Sequence, residues 1–204
     1  MSFQEEAMKK YPVSMILIVC LICPVPALAG IPLETVKGYA DKVLDVLRDP
    51  ALKPEAAKKI KKEKLRAISE KMFDFTELSR RTLATNWKKF SPEQQKEFVE
   101  LYTSLLEDAY ANKIIAYSDE KITFIKEVPL SEKTVEVQST VLKDSAEIPI
   151  YYRVILQDGA WRVYDVVVEG VSLINNYRSQ FKEILANKPP ESLLETLRKK
   201  AGKT

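Results

Sequence analysis

Asp165 and Glu169 are carboxylates set in and just beyond an apolar run, Trp161 to Val168. An acid/base pair would use both. On an extended segment, residues four apart share a face but sit about two repeats apart, too far for direct cooperation. Tyr152 and Tyr164 supply hydroxyl donors, and an Asp base with Tyr donors in an apolar pocket is a workable chemistry. The structural alternative has Asp165 bonding a nearby backbone or hydroxyl group and Glu169 shaping the turn at Gly170. Arg80 and Arg81 are either phosphate ligands or exposed helix residues. The chain has no histidine, and its two cysteines, Cys20 and Cys23, fall within the first 29 residues. From Gly30 to Thr204, therefore, no histidine base, thiol nucleophile or His-ligated metal can be built. The expectation is no catalytic residue, no metal and no cofactor. Val, Ile, Leu and Tyr are abundant instead, which suits holding something apolar.

The first 29 residues read as a cleaved secretory signal. Lys9 and Lys10 give a positive start, Val13 to Cys23 an apolar stretch too short to span a bilayer, and Ala27-Leu28-Ala29 a small-x-small cleavage site. Glu5 and Glu6 are unusual there, which leaves Met1 and Met8 both open as the start. Val19 and Ile22 stand where a lipoprotein signal wants a small residue before its cysteine. Cleavage would remove both cysteines, so no disulfide framework is expected. The style of the signal is bacterial and points to the periplasm. Residues 30–204 suffice for one domain with a sizeable core. The net charge of +3 is unchanged by cleavage and too mild for nucleic acid. Lysines nevertheless crowd Lys58 to Arg66 and the C-terminus. A solvated helix face is the simplest account; anionic headgroups or an acidic partner are the alternatives.

Apolar periodicity predicts a helix over Leu33–Arg48 and another opening at Pro54 that carries Ile60, Leu65, Ile68 and Met72 inward. A shorter helix covers Phe75 to Ala84. Ser91-Pro92-Glu93-Gln94 is a capping box opening a helix to about Tyr117, with a wide apolar stripe from Phe98 to Ile114. The period then falls to two. Ile122, Phe124 and Val128 alternate with polar positions, as do Val135, Val137, Ser139 and Val141. A third set runs Ile148 to Leu156. Asp158-Gly159 signals a hairpin into Trp161–Val168, and Gly170 ends the sheet. A helix from Val171 to about Asn187 and a last, strongly charged helix complete the chain. Helices first and strands second give an α+β fold, with a four-stranded antiparallel sheet packed on long helices.

Two stretches carry a family resemblance. One is Phe73-Asp74-Phe75 with Leu83, Trp87, Phe90-Ser91-Pro92-Glu93-Gln94 and the Phe98/Tyr102/Leu105 helix. The other is Trp161-Arg162-Val163-Tyr164-Asp165-Val166-Val167-Val168-Glu169-Gly170-Val171-Ser172-Leu173. Together they resemble the MlaC family, also called the toluene-tolerance auxiliary component, over about Leu33 to Leu185. Ala84 departs from the pattern, since many members have glycine there. The resemblance implies a fold like nuclear transport factor 2 with added helices, enclosing an apolar pocket. It also implies a monomeric periplasmic phospholipid carrier. Such a carrier moves lipid between an outer-membrane lipoprotein–porin complex and an inner-membrane ABC transporter with an MCE-domain subunit, maintaining outer-membrane lipid asymmetry.

Lipid carriage suits a chain without a catalytic constellation. Each acyl CH₂ exposed to water costs about 0.8 kcal/mol, so a tail of ordinary length costs on the order of 10 kcal/mol. A carrier needs only apolar side chains around the tails, and the headgroup can stay in solvent. The resemblance makes Val135, Val137, Val141, Ile150, Tyr152, Val154, Tyr164, Val166 and Val168 the candidate tail contacts of the sheet. The facing helices would add Leu78, Leu83, Phe98, Leu101, Tyr102 and Leu105, with Val171 at the start of the next helix. Taken singly, each is as well explained by core packing. Two other readings compete: an enzyme of the same fold using Asp165 in an apolar pocket, and a ligand-free interaction module whose basic helices grip an acidic partner.

Overall fold

The computed structural model describes residues 31–115, 121–143 and 146–202. The expected signal and its cleavage site lie outside the described residues. Six α-helices and five strands follow in the order α1 (Ile31–Arg48), α2 (Lys58–Met72), α3 (Phe75–Leu83), α4 (Pro92–Ile115), β1 (Lys121–Ser131), β2 (Thr134–Lys143), β3 (Ala146–Gln157), β4 (Ala160–Val168), β5 (Val171–Ser172), α5 (Leu173–Leu185) and α6 (Pro190–Lys200). The strands form one antiparallel sheet in sequence order.

The expected four strands become five. Glu169 and Gly170 both take positive φ, 49° and 81°, the same pattern as Asp158 and Gly159 at 50° and 76°. Both pairs are two-residue hairpin turns whose twist matches the strands they join. Gly170 therefore reverses the sheet rather than ending it, and Val171 pairs with Val168 before α5 begins.

Side chains meet the starts of α1, α3, α4 and α5, whereas α2 and α6 have no side-chain cap. The expected capping box forms, with the Gln94 N–H donating to Ser91 Oγ and the Ser91 N–H to Gln94 Oε1, both at 3.2 Å. The Asp74 carboxylate accepts from the Glu77 N–H at 2.8 Å. Glu127 of β1 accepts from the Leu33 N–H at 2.5 Å, which fixes the start of α1 against the sheet. In α2 the inward register is Lys61, Leu65, Ile68 and Met72. The expected inward Ile60 is instead 51% exposed. The 4-3-4 spacing selects Lys61, whose aliphatic stem can lie along apolar surface.

Two cores flank the sheet. On one face Val36 of α1 and Met72 of α2 pack on Val135, Val137, Val154, Trp161 and Val163. On the other side α3 to α6 build a helical core around Leu78, Phe98, Tyr102, Phe181, Leu193 and Leu197. Rings of Phe98, Tyr102, Tyr177 and Phe181 meet at centroid distances of 5.2–5.7 Å. The charged last helix is thus a core element. Its Leu193, Leu194 and Leu197 are buried, while Arg198 bridges Glu97 and Glu191 at 2.6 Å each.

Ala84 ends α3 at φ 50°, ψ −122°, a backbone conformation that glycine adopts without a Cβ penalty. Ala84→Gly is expected to stabilise the fold by about 1 kcal/mol, raising the melting temperature by about 2–4 °C. Thermal unfolding followed by circular dichroism checks this; an unchanged or lower midpoint would show that the turn carries no strain.

Candidate functional site

Strand register sorts the sheet's apolar face into rows. The first row is Ile122, Val141 and Ile148; the second is Phe124, Ser139, Ile150, Val168 and Val171. The third is Glu127, Val137, Tyr152 and Val166, and the fourth Pro129, Val135, Val154 and Val163. The α1/α2 core closes the fourth row and the near part of the third, with Phe124, Tyr152 and Val166 partly buried at its fringe.

The apolar surface continues beyond that core. Ile122, Ile148 and Ile150 are half-buried, Val168 is 37% exposed and Val171 61% exposed. Ser139 sits among them fully buried, and its hydroxyl donates to the Ile150 carbonyl at 2.7 Å, which removes a polar atom from the surface. Tyr152 borders this region. Its side chain stays partly accessible, yet burial pushes its hydroxyl up to about 12. The cause is desolvation of the hydroxyl by its surroundings.

The expected site residues do not form one cluster. Val135, Val137, Val141, Ile150, Tyr152, Val154, Val166, Val168 and Val171 share the apolar sheet face. Leu78, Leu83, Phe98, Leu101, Tyr102 and Leu105 lie in the helical core on the other side, joined by Tyr164. Tyr164 was expected beside Val166 and Val168. A bulge puts it there no longer: Arg153 pairs with Asp165 and Val154 with Val163, which leaves Tyr164 as the extra residue. A second bulge between Phe124 and Lys126 moves Val128 opposite Glu136 and hands the apolar face to Glu127 and Pro129. Ile122, Phe124 and Ile148 extend the apolar rows and were not among the expected contacts, although the same period-two alternation marks them.

The sheet's opposite face carries a polar cluster beside the helical core. Glu136, Arg153 and Asp165 are in register, and Arg153 bridges both carboxylates at 3.1 Å. Asp165, 1% exposed, also accepts from Ser172 Oγ at 2.7 Å and the Ile174 N–H at 3.1 Å. Ser172 in turn caps α5 by accepting from the Asn175 N–H. Asp165 and Tyr152 thus stand on opposite faces of the sheet. Arg80 and Arg81 both bind Glu77, at 2.6–2.7 Å, and the Arg81 guanidinium lies 4.1 Å from the centre of the Tyr164 ring.

The hydrogen bond from Arg80, with that from Arg81, holds Glu77 below its ordinary value of 4.5 despite burial. A carboxylate with a depressed folded-state pKa stabilises fully above its unfolded pKa, and that contribution is lost as pH falls through the folded one. The melting-temperature gap between the native chain and Glu77→Gln is therefore expected to be largest near neutral pH and to shrink below about pH 4.5. A gap constant from pH 7 to pH 3 would assign the loss to packing.

Two clefts open elsewhere on the surface, one around Leu83, Arg178 and Phe181, the other around Phe73, Phe75 and Asp158. Neither is lined by the apolar rows.

Comparison with known proteins places this geometry. Over residues 37–199 the chain matches the family model described as MlaC protein. It is 25% identical over 127 residues to the Haemophilus influenzae "Intermembrane phospholipid transport system binding protein MlaC", a match spanning 60% of this chain and 59% of that protein. It is 26% identical over 99 residues to the Pseudomonas putida "Toluene tolerance protein ttg2D", spanning 48% and 46%. The chain therefore covers about half to three-fifths of these relatives' length. A solved phospholipid-binding protein from Ralstonia solanacearum, in complex with a phospholipid, superposes with a TM-score of 0.76 at 24% identity, covering 84% of this chain and 97% of that one. That likeness establishes the α+β fold. With the family model spanning most of the described residues, the chain belongs to the MlaC family.

Proposed function

We propose that the chain is a periplasmic phospholipid carrier. Its acyl-chain contacts would be the first two rows of the apolar sheet face with Tyr152 and Val166, and the headgroup would sit near Val168 and Val171 in solvent. The observation that carries this reading is the run of apolar side chains continuing past the α1/α2 core into half-buried and exposed positions. Burying two tails there replaces contact with water at about 0.8 kcal/mol per CH₂, and no group on that face needs to react. The name of the Haemophilus relative, and the lipid held by the Ralstonia protein, support the same assignment. The role is that of a carrier rather than an enzyme, since Asp165 is engaged on the opposite face with three donors.

Export by the N-terminal signal and exchange with an outer-membrane lipoprotein–porin complex and an inner-membrane MCE-domain ABC transporter complete the proposal. No described helix is long and apolar enough to cross a membrane. Native mass spectrometry of the chain, purified from a bacterial periplasm without detergent, tests it. A bound mass matching phosphatidylethanolamine or phosphatidylglycerol is expected. A chain that arrives empty and takes no lipid from vesicles would overturn the carrier reading.

A further inference from the structure

A cleft of about 360 Å³ lies between the end of α3, the 3-10 segment Ala84–Lys89 that follows it, and α5. It is on the helical side of the sheet, away from the apolar rows. Three cations line it, Lys89, Arg178 and Lys182, together with the polar side chains of Thr85 and Asn86, and no carboxylate is among its lining residues. None of the three cations joins an ion pair with a described residue.

Arg178 is held in place. Its Nη2 donates to the Arg81 carbonyl at 2.8 Å and its Nη1 to Asn175 Oδ1 at 3.1 Å. Its Nε is buried and has no acceptor. A guanidinium has five N–H donors, so each Nη keeps one hydrogen free for an oxyanion. Lys182 lies one helical turn further along α5, on the same face. A cleft with three cations and no carboxylate selects for a negatively charged occupant.

We infer that this cleft binds a phosphate-type oxyanion, held by the free Nη hydrogens of Arg178 and neutralised by Lys182 and Lys89. The phosphate can come from a free phosphate ester or from a lipid headgroup presented by a membrane. The inference is independent of acyl-chain binding, because the cleft shares no residue with the apolar rows.

The test is amide NMR of the labelled chain titrated separately with inorganic phosphate, phosphatidylglycerol vesicles and phosphatidylcholine vesicles. Saturable shifts confined to residues 82–89 and 178–186 are expected with phosphate. Arg178→Gln should weaken the effect about tenfold or more, and Arg178→Lys should also weaken it, because a lysine offers no planar pair of Nη donors. Lys182→Gln and Lys89→Gln should each cost a few-fold and grow less important as salt is raised. Arg178 also ties α5 to α3, so Arg178→Gln is read only where its spectrum outside the cleft is unchanged. The exposed Lys182 and Lys89 variants carry the test otherwise. Binding of free phosphate that depends on these residues supports a soluble ester. Binding of phosphatidylglycerol vesicles alone, with the same dependence, supports a headgroup source. Absence of binding in all three titrations, or binding indifferent to Arg178, Lys182 and Lys89, overturns the inference.

Discussion

Val154→Glu is expected to unfold the chain, whereas Ile150→Glu is expected to leave it folded and empty of lipid. The two residues lie four apart on β3 and point to the same face. Val154 is 1% exposed and closed in by the α1/α2 core, paired with Val135 and Val163. A carboxylate there has no partner and no route to water, a loss of about 3–5 kcal/mol or more against a total stability of about 5–15 kcal/mol. Ile150 is half-buried, in the second row beyond that core. Its carboxylate can reach solvent in the empty protein but must be stripped of water when tails cover it. Lipid affinity should fall by at least about a hundredfold at small cost in stability. Val171→Glu should do less, because at 61% exposure its carboxylate can turn away from the rim. Melting curves and lipid extraction of all three variants check the gradient. If Ile150→Glu stays folded and retains its lipid, the second row is not where the tails lie.

That gradient could not be drawn from the sequence, where Val154 and Ile150 look alike. Alternation announces which side chains share a face, and on β2 and β3 it is right from end to end: Val135, Val137 and Val141 do face the same way as Ile150, Tyr152 and Val154. It cannot announce how far a helix laid over that face extends. Bulges are equally silent. The extra residue at Tyr164 changes no composition, yet it moves an aromatic ring from one core to the other, and the bulge after Phe124 turns Val128 to the other face of the sheet. Turn chemistry was legible where the residues are distinctive, at Asp158-Gly159 and in the Ser91 capping box. At Glu169-Gly170 the turn was legible but its hairpin into a fifth strand was not, because only the glycine hints at one. The grouping of sheet and helix residues into a single pocket failed for a related reason. Trp161 to Val168 is apolar toward both sides, so one strand serves two cores and the sequence alone cannot say which helix meets which side.

Asp165→Ala is expected to cost about 3–5 kcal/mol, the largest loss from any single polar side chain in the fold. The carboxylate is buried and holds three elements together: Arg153 of β3, Ser172 of β5 and the first turn of α5 through Ile174. Its removal leaves Arg153 half-buried with only Glu136, and strips acceptors from a hydroxyl and a backbone N–H. The start of α5 also loses a negative group near its N-terminal dipole. Asp165→Asn keeps the shape and one acceptor oxygen, so it should fall between the two. Because much of the loss is the cost of an orphaned charge, replacing Arg153 and Asp165 together with methionine and leucine should recover most of the stability. Chemical denaturation of the single and double variants measures the coupling. Lipid content of the single variant, measured well below its midpoint, separates support from chemistry. It should match the native chain. A folded Asp165→Asn that no longer holds lipid would place this carboxylate in the binding function itself.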